Sequence, residues 1–346
     1  MARFGEVFRC LGMDEDTPSG VPGMVVAKGG SNFVALLDGK GLKVRATDPT
    51  IEVKEVDASG FRENQQKLRE SLAKLTDKQA VAALTPPVLP AASRIFQVFG
   101  PNAVAFDKAE VRALDGPTPR ARMRVAVVPP LEIKIAIRNL QVRQRDGTLA
   151  NHAQTPCVPA DELVGMNFVW TPQTNIRFVL VPSEPAVIDL GKAETRAAWA
   201  AALGLKSADA VAIPSSLPYR REVLHVYDPH LVPGADITFL FVDDLRDGDI
   251  PNGVDLDTGI VLIAKRRTET TFAHEAGHYL GGDYTKGEWD ALKHTWDADK
   301  IQKRQDDVRY LMRDGGAGWK IPFGLVDRFR GFRSRKVRPA PKARRR

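Results

Sequence analysis

Cysteine is almost absent from this chain: Cys10 and Cys157 are the only two in 346 residues. Two thiols so far apart make no disulfide framework, and neither has metal-ligand spacing, so both are expected to be free. Long apolar runs are missing as well. None approaches the roughly 20 residues needed to span a membrane. Even so, 43% of the residues are hydrophobic, and the chain is long enough for two domains and a substantial core. Residues 1–16 contain no apolar stretch of signal-peptide length and soon turn acidic. No secretory signal is therefore expected, which leaves a cytoplasmic location or export by a non-classical route. Acid, in turn, is missing from the C-terminal end. Residues 328–346 hold ten Lys or Arg and no Asp or Glu; taking ten from the formal net charge of +7 leaves −3 for the rest. A basic run with Pro and Gly is expected to be disordered and to attract polyanions such as nucleic acid, phospholipid headgroups or acidic cell-wall polymers. Its simpler role is a solvated end that aids solubility. Nothing in the remaining chain points to a nucleic-acid-binding domain.

What is present centres on His274-Glu275-Ala276-Gly277-His278. On a helix, residues at i and i+4 share a face, so both imidazoles can reach one metal ion. Glu275 is then placed to accept a proton from a water that the metal polarises. The pattern fixes only three positions, and an ordinary charged helix can match it by chance, so its surroundings decide. Gly259 to Ala264 reads as a short buried strand, followed by the basic turn Lys265-Arg266-Arg267. Thr268 or Thr270 can cap the next helix, with Glu269 near its positive end. Phe272, Ala273, Ala276, Tyr279 and Leu280 recur at helical spacing and give that helix a buried side. Gly281-Gly282 is expected to stop it, letting the chain turn back with a third ligand.

Residues 274–281, His-Glu-Ala-Gly-His-Tyr-Leu-Gly, resemble the zinc helix of the metzincin metallopeptidases, whose pattern is HExxHxxGxxH followed by a methionine turn. Tyr310-Leu311-Met312-Arg313-Asp314-Gly315-Gly316 resembles that turn, with Met312 as the methionine beneath the metal. The resemblance implies an α+β catalytic domain with a twisted mixed sheet, and a zinc cofactor held by His274 and His278. It also implies a protein or peptide substrate. It departs at position 284, where the third histidine is replaced by Tyr284. Asp283 is one residue out of register but offers a carboxylate, an accepted zinc ligand. Tyr284 is in register, but a phenol with pKa near 10 is a poor ligand. His294 is the only histidine after the motif, and it serves if residues 283–293 form an insertion. We take His294 as the third ligand and Asp283 as the alternative; their ordinary readings are a surface histidine and a loop or capping aspartate. The thermolysin arrangement, with a glutamate from a second helix, is disfavoured. No glutamate follows Glu288, which lies only ten residues past His278. An aspartate version through Asp290, Asp297 or Asp299 stays open.

Along the chain, residues 1–58 read as a small β-rich module, with strands at 32–37 and 41–45 and Asp38-Gly39-Lys40-Gly41 as a hairpin turn. Residues 59–115 read as a helical segment and connector. Leu68, Leu72, Leu75, Ala80, Val81 and Leu84 form its apolar stripe, and Asp115-Gly116-Pro117-Thr118-Pro119 is a linker signal. Residues 116–330 are assigned to the metzincin-like domain, with 331–346 as the basic tail. Within that domain strands are expected at 131–138, 176–181, 223–227, 237–242 and 259–264, and helices at 159–170 and 194–203. Strand, helix, strand, further strands and zinc helix is the order implied by the resemblance. In that family an edge strand pairs with extended substrate, and a strand within 237–263 is the candidate. Asp243, Asp244, Asp247, Asp249, Asp255 and Asp257 crowd one loop without calcium-loop spacing and read as a solvated turn. His152, His225 and His230 match no metal spacing and read as structural or surface residues.

The expected reaction is zinc-dependent endopeptidase hydrolysis. Zinc polarises a water and the scissile carbonyl, and Glu275 takes the water's proton and hands it to the leaving amine. Two alternatives stand beside it. One is an inactive metzincin-fold binding protein tethered to polyanionic surfaces through its tail. The other is a delivered toxin or effector whose first half serves delivery.

Overall fold

The computed structural model describes residues 1–9, 11–15, 17, 20–74, 81, 84–219, 221–246, 251–256, 258–281, 311, 318–321 and 323–331. Alternating apolar residues in the first 128 positions build two sheets around a shared core. One joins β1 (Arg3–Glu6), β4 (Gly30–Leu37), β6 (Glu52–Val56) and β7 (Arg94–Gly100) in the order β1–β4–β7–β6, all antiparallel. The other joins β2 (Met13–Asp14), β3 (Gly23–Ala27), β5 (Lys43–Ala46), β8 (Val104–Asp115) and β9 (Thr118–Val128) in the order β2–β3–β9–β8–β5. Phe4, Met24, Val34, Phe96, Val111 and Met123 fill the space that both sheets enclose. Helix α1 (Ala58–Leu72) is capped by Asp57, which accepts the Ser59 amide at 3.1 Å. Its Phe61 packs on Phe33 of the first sheet at 4.9 Å.

Several sequence-based expectations change here. Asp38 to Gly41 is not a hairpin turn: β4 pairs with β1 and β7, whereas β5 pairs with β8, so the turn carries the chain between sheets. Residues 94–115 are strands β7 and β8, not connector. Asp115 to Pro119 is the turn of the β8–β9 hairpin, with Gly116 at φ 57°, where glycine is favoured. Gly and Pro mark where a chain turns, but not whether it stays in the same sheet. A boundary at residue 116 therefore falls inside a hairpin, and β9 also pairs in parallel with β3.

From residue 131 the second half begins with the long strand β10 (Leu131–Arg143), extended by β11 (Leu149–Asn151) and β13 (Ala186–Asp189). Helix α2 (Pro159–Thr174) leads into β12 (Ile176–Leu180), and α3 (Ala193–Ala202) follows β13. The two-residue strands β14 (Ser216–Leu217) and β16 (Asp244–Leu245) pair with each other. The remaining strands are β15 (Ile237–Val242), β17 (Gly253–Asp255) and β18 (Ile260–Ala264). Along β12–β10–β15–β18–β17 the sheet is parallel except for β17, which lies antiparallel at the edge, while the far half of β10 pairs with β13 in parallel and with β11 antiparallel. Helices cover one face of β15 and β18 and a second cluster covers the other, so Ile-Thr-Phe-Leu-Phe-Val and Ile-Val-Leu-Ile-Ala show no alternation. The chain is thus α+β, with several sheets and helices.

Residues 223–227, expected as a strand, lie in a 3-10 stretch over Arg221–Val226 and the residue after it. Its three-residue period buries Val223 and Val226 together, and Tyr227 packs edge-on against Trp199 at 5.7 Å. Helix α4 (Thr271–Gly281) carries the motif, and α5 (Phe323–Arg330) takes up the start of the expected basic tail. Arg330 donates to the carbonyls of Thr174 at 2.9 Å and Pro129 at 2.6 Å, so it is a folded part of the body. Residues 332–346 lie outside the described residues. Among the described residues no helix is long and apolar enough to cross a membrane.

One of the scattered histidines is a structural pin, and another is largely buried. His152 accepts the Asp243 amide on Nδ1 at 2.9 Å and donates from Nε2 to Pro214 at 2.8 Å. Burial, helped by the Arg138 charge, pushes His230 down to about 4. His230 then binds a proton more readily in the unfolded chain, so its own contribution to stability is full above pH 6.5 and is lost as pH falls from there toward 4. The loss is on the order of 2 kcal/mol after allowance for partial exposure. Urea titrations of wild type and His230→Gln across that range should show the variant with a shallower acid decline.

Candidate metal centre

Helix α4 starts where three threonines meet. The Thr271 hydroxyl accepts the Thr268 amide at 2.9 Å, and the Thr270 carbonyl receives the His274 amide at 2.9 Å, the first helical bond. The Arg267 side chain pairs with Glu162 and lies over the rings of Phe241 at 4.6 Å and Phe272 at 5.7 Å. Trp170 of α2 donates its indole N–H to the Ala273 carbonyl at 3.0 Å, which fixes the helix against the sheet-covering layer. Nearly every residue of α4 is buried, His274 at 8% and Glu275 at 5% exposure. Burying two polar side chains in one helical turn is costly unless each has a partner.

The partners are specific. His274 Nδ1 lies 2.6 Å from the carbonyl oxygen of Leu311. A carbonyl can only accept, so the proton sits on Nδ1 and the lone pair of Nε2 is left for another partner. That Nε2 faces His278 Nε2 at 3.0 Å, with the rings nearly perpendicular at 86°. His274, Glu275 and His278 are the one group among the described residues able to hold a metal, their ligand atoms lying within 4.8 Å of one another. Two imidazoles on tetrahedral zinc at about 2.0–2.1 Å place their nitrogens about 3.3 Å apart, so a shift of a few tenths of an ångström fits them to the ion. A histidine whose other ring nitrogen donates to a backbone carbonyl is also the usual support for a metal ligand.

Glu275 points to the edge strand. A methyl added at Gly253 would lie 2.7–2.9 Å from its side chain, so β17 approaches the carboxylate closely only because residue 253 is glycine. Burial, with the Asp255 charge beside it, pushes Glu275 up to about 8, while a hydrogen bond from the Asp255 backbone pulls the other way. Asn252 and Leu256 make the ladder bonds to β18, so the peptide groups of Gly253 and Asp255 face away from it. Gly253→Ala is expected to displace Glu275 and lower any activity of the site at least tenfold, with a melting temperature within a few degrees of wild type. Kinetics together with thermal melting check both halves.

The acidic loop is less solvated than its composition suggests. Asp243 pairs with Lys265 at 2.5 Å, Asp244 with Arg266 at 3.2 Å, and Asp255 belongs to the site. Gly281, the last described residue of α4, makes room for a neighbouring helix. A Cβ there would lie 2.4 Å from the Phe329 ring, so glycine lets α5 pack onto α4. Leu311, Gly253 and Asp255 escaped sequence reasoning. The first acts through its main chain, and the others sit in a loop read only for charge.

Asp283, Tyr284, His294 and Met312 lie outside the described residues, as do Asp290, Asp297, Asp299, Asp247, Asp249, Asp257 and Cys10. Cys157 is buried, and burial pushes its thiol up to about 12, which leaves it inert. No protein-family model, curated protein or solved structure matches the chain.

Proposed function

We propose that this chain is a zinc-dependent endopeptidase of metzincin-like architecture, with His274 and His278 as metal ligands and Glu275 as general base. The observation that carries the reading is the buried pair of imidazole Nε2 atoms 3.0 Å apart, one oriented by the Leu311 carbonyl. Two features of the fold support it. The order strand, helix, strand, further strands and motif helix is the one the resemblance implies. An edge strand, β17, lies directly beside the motif helix, within the 237–263 range where a substrate-pairing strand is expected.

Bound there, zinc supplies Lewis acidity toward a water and a carbonyl oxygen. The residues of the chain do the rest. His274 and His278 present two nitrogen donors from a rigid helix, and Leu311 holds one of them in its tautomer. His274 and Glu275 are buried, which limits their contact with bulk water. The outward edge of β17 at Gly253 aligns an extended substrate, and the carboxylate of Glu275 takes the proton of the attacking water and delivers it to the departing amine. The third ligand is His294, with Asp283 as the alternative. The basic tail is a polyanion contact that places the enzyme, separate from the chemistry.

Metal analysis with a peptide-hydrolysis assay tests this. Wild type should carry one zinc and cleave peptides. His274→Ala and His278→Ala should lose both properties, and of His294→Ala and Asp283→Ala one alone should lose the metal. A wild type without zinc or hydrolysis would instead support the inactive binding protein.

A further inference from the structure

A second buried charge cluster lies away from the motif. Lys320 is 1% exposed, and its ammonium sits 2.8 Å from Glu6 of β1 and 3.8 Å from Asp14 of β2. Both acids are themselves buried, at 3% and 1%. Asp14 also accepts the Phe323 amide at 3.2 Å, and Glu6 is further approached by Arg9 at 3.5 Å. Buried ion pairs are poor glue, because desolvating the charges offsets most of their attraction; apolar residues would hold two modules together as well or better. Their better-attested use is to fix one geometry.

The geometry fixed here leads to the motif. The Lys320 carbonyl accepts the Leu311 amide at 2.9 Å, and the Leu311 carbonyl accepts His274 Nδ1 at 2.6 Å. Gln173 of α2 holds both neighbours of Lys320: its Nε2 donates to the Trp319 carbonyl at 2.7 Å, and its Oε1 accepts the Ile321 amide at 2.8 Å. Residues 319–321 are therefore gripped by the helical layer on the main chain and by the N-terminal module on the side chain. We propose that Lys320 is a positioning residue for the metal centre. Its salt bridge to Glu6 and Asp14 sets the place of the Leu311 carbonyl, and through it the tautomer and direction of His274. Glu6 and Asp14 of the N-terminal module thereby complete the support of a ligand at least 260 residues away in sequence.

This inference rests on the metal reading, and the test separates the two. Lys320→Met alone strands buried carboxylates, so the principal variant is the neutral set Glu6→Gln, Asp14→Asn and Lys320→Met, which keeps shape and an acceptor for Phe323. The milder Glu6→Asp keeps every charge and withdraws one carboxylate by a methylene. Leu36→Ala, a fully buried truncation in the same module, controls for lost stability alone. Two quantities are read on folded protein: zinc affinity by competition with a chelating dye, and exchange of the His274 Nδ1 proton by NMR without metal. Loss of a supporting contact around a ligand costs about 10–100-fold in affinity. At this extra remove the neutral set should lose about tenfold and Glu6→Asp a few fold, both with faster ring-proton exchange, while Leu36→Ala matches wild type. Unchanged affinity and exchange in both charge variants, or an equal change in Leu36→Ala, overturns the proposal. If wild type binds no zinc the metal reading fails, and the ring proton still reports whether Lys320 positions His274.

Discussion

Glu275→Gln should lower peptide hydrolysis by about 10²–10⁴-fold, the usual contribution of a positioned general base, while zinc remains at one per chain. The substitution changes almost nothing but proton affinity. A glutamine has the same reach, fits the same space against Gly253, and still offers an oxygen to the Asp255 backbone. It also removes a buried ionisable group, so the fold should be no less stable than wild type. The side chain it replaces is 5% exposed beside two histidines, a place where a carboxylate has little reason to be unless it works. Turnover of an unstructured protein substrate, metal content and a melting curve on one preparation separate lost chemistry from lost structure. Equal turnover in the variant would remove Glu275 from the mechanism.

Removal of residues 1–115 should abolish folding as well as activity. That outcome is the opposite of what a detachable delivery module requires. Strand β9 would lose both partners, β3 and β8, and expose the whole of its apolar face. Val25 of β3 belongs to the core that also contains Phe272, Ala273 and Ala276 of the motif helix. Phe323 of α5 packs so tightly on β3 that a Cβ at Gly23 would lie 2.3 Å from its ring. Lys320 would be left in the interior without Glu6 or Asp14. Stripping the partners from a buried charge costs about 3–5 kcal/mol, a large share of the roughly 5–15 kcal/mol that holds a typical protein folded. Circular dichroism, thermal melting and zinc content of the truncated chain check this. A truncated chain that melts cooperatively and hydrolyses peptides would restore the effector reading.

What could be read from sequence was whatever a local period encodes. The spacing of His274 and His278 is one helical turn, and the apolar runs of β15 and β18 are long enough to announce a strand buried on both faces. Strand β17 was not readable as such: three residues, Gly253-Val254-Asp255, show no period and lie among acids. Turns were visible but their destinations were not, because Asp38 to Gly41 and Asp115 to Pro119 have the same composition whether the chain folds back or crosses between sheets. The supports of the site were hidden for a different reason. Leu311 contributes a carbonyl, which every residue has, and Lys320 is a lysine whose burial is decided by acids more than 300 residues earlier. Main-chain contacts and long-range ion pairs leave no mark on the residues beside them.

The central claim is that one zinc ion sits on the Nε2 atoms of His274 and His278. Anomalous scattering from crystals of the purified protein, recorded on both sides of the zinc absorption edge, tests it most directly. The expected result is a single strong peak about 2.0–2.1 Å from both nitrogens, with His274 Nδ1 still directed at the Leu311 carbonyl. No peak at the two histidines in zinc-supplemented crystals, or a peak elsewhere with the imidazoles hydrogen-bonded to each other, would contradict it.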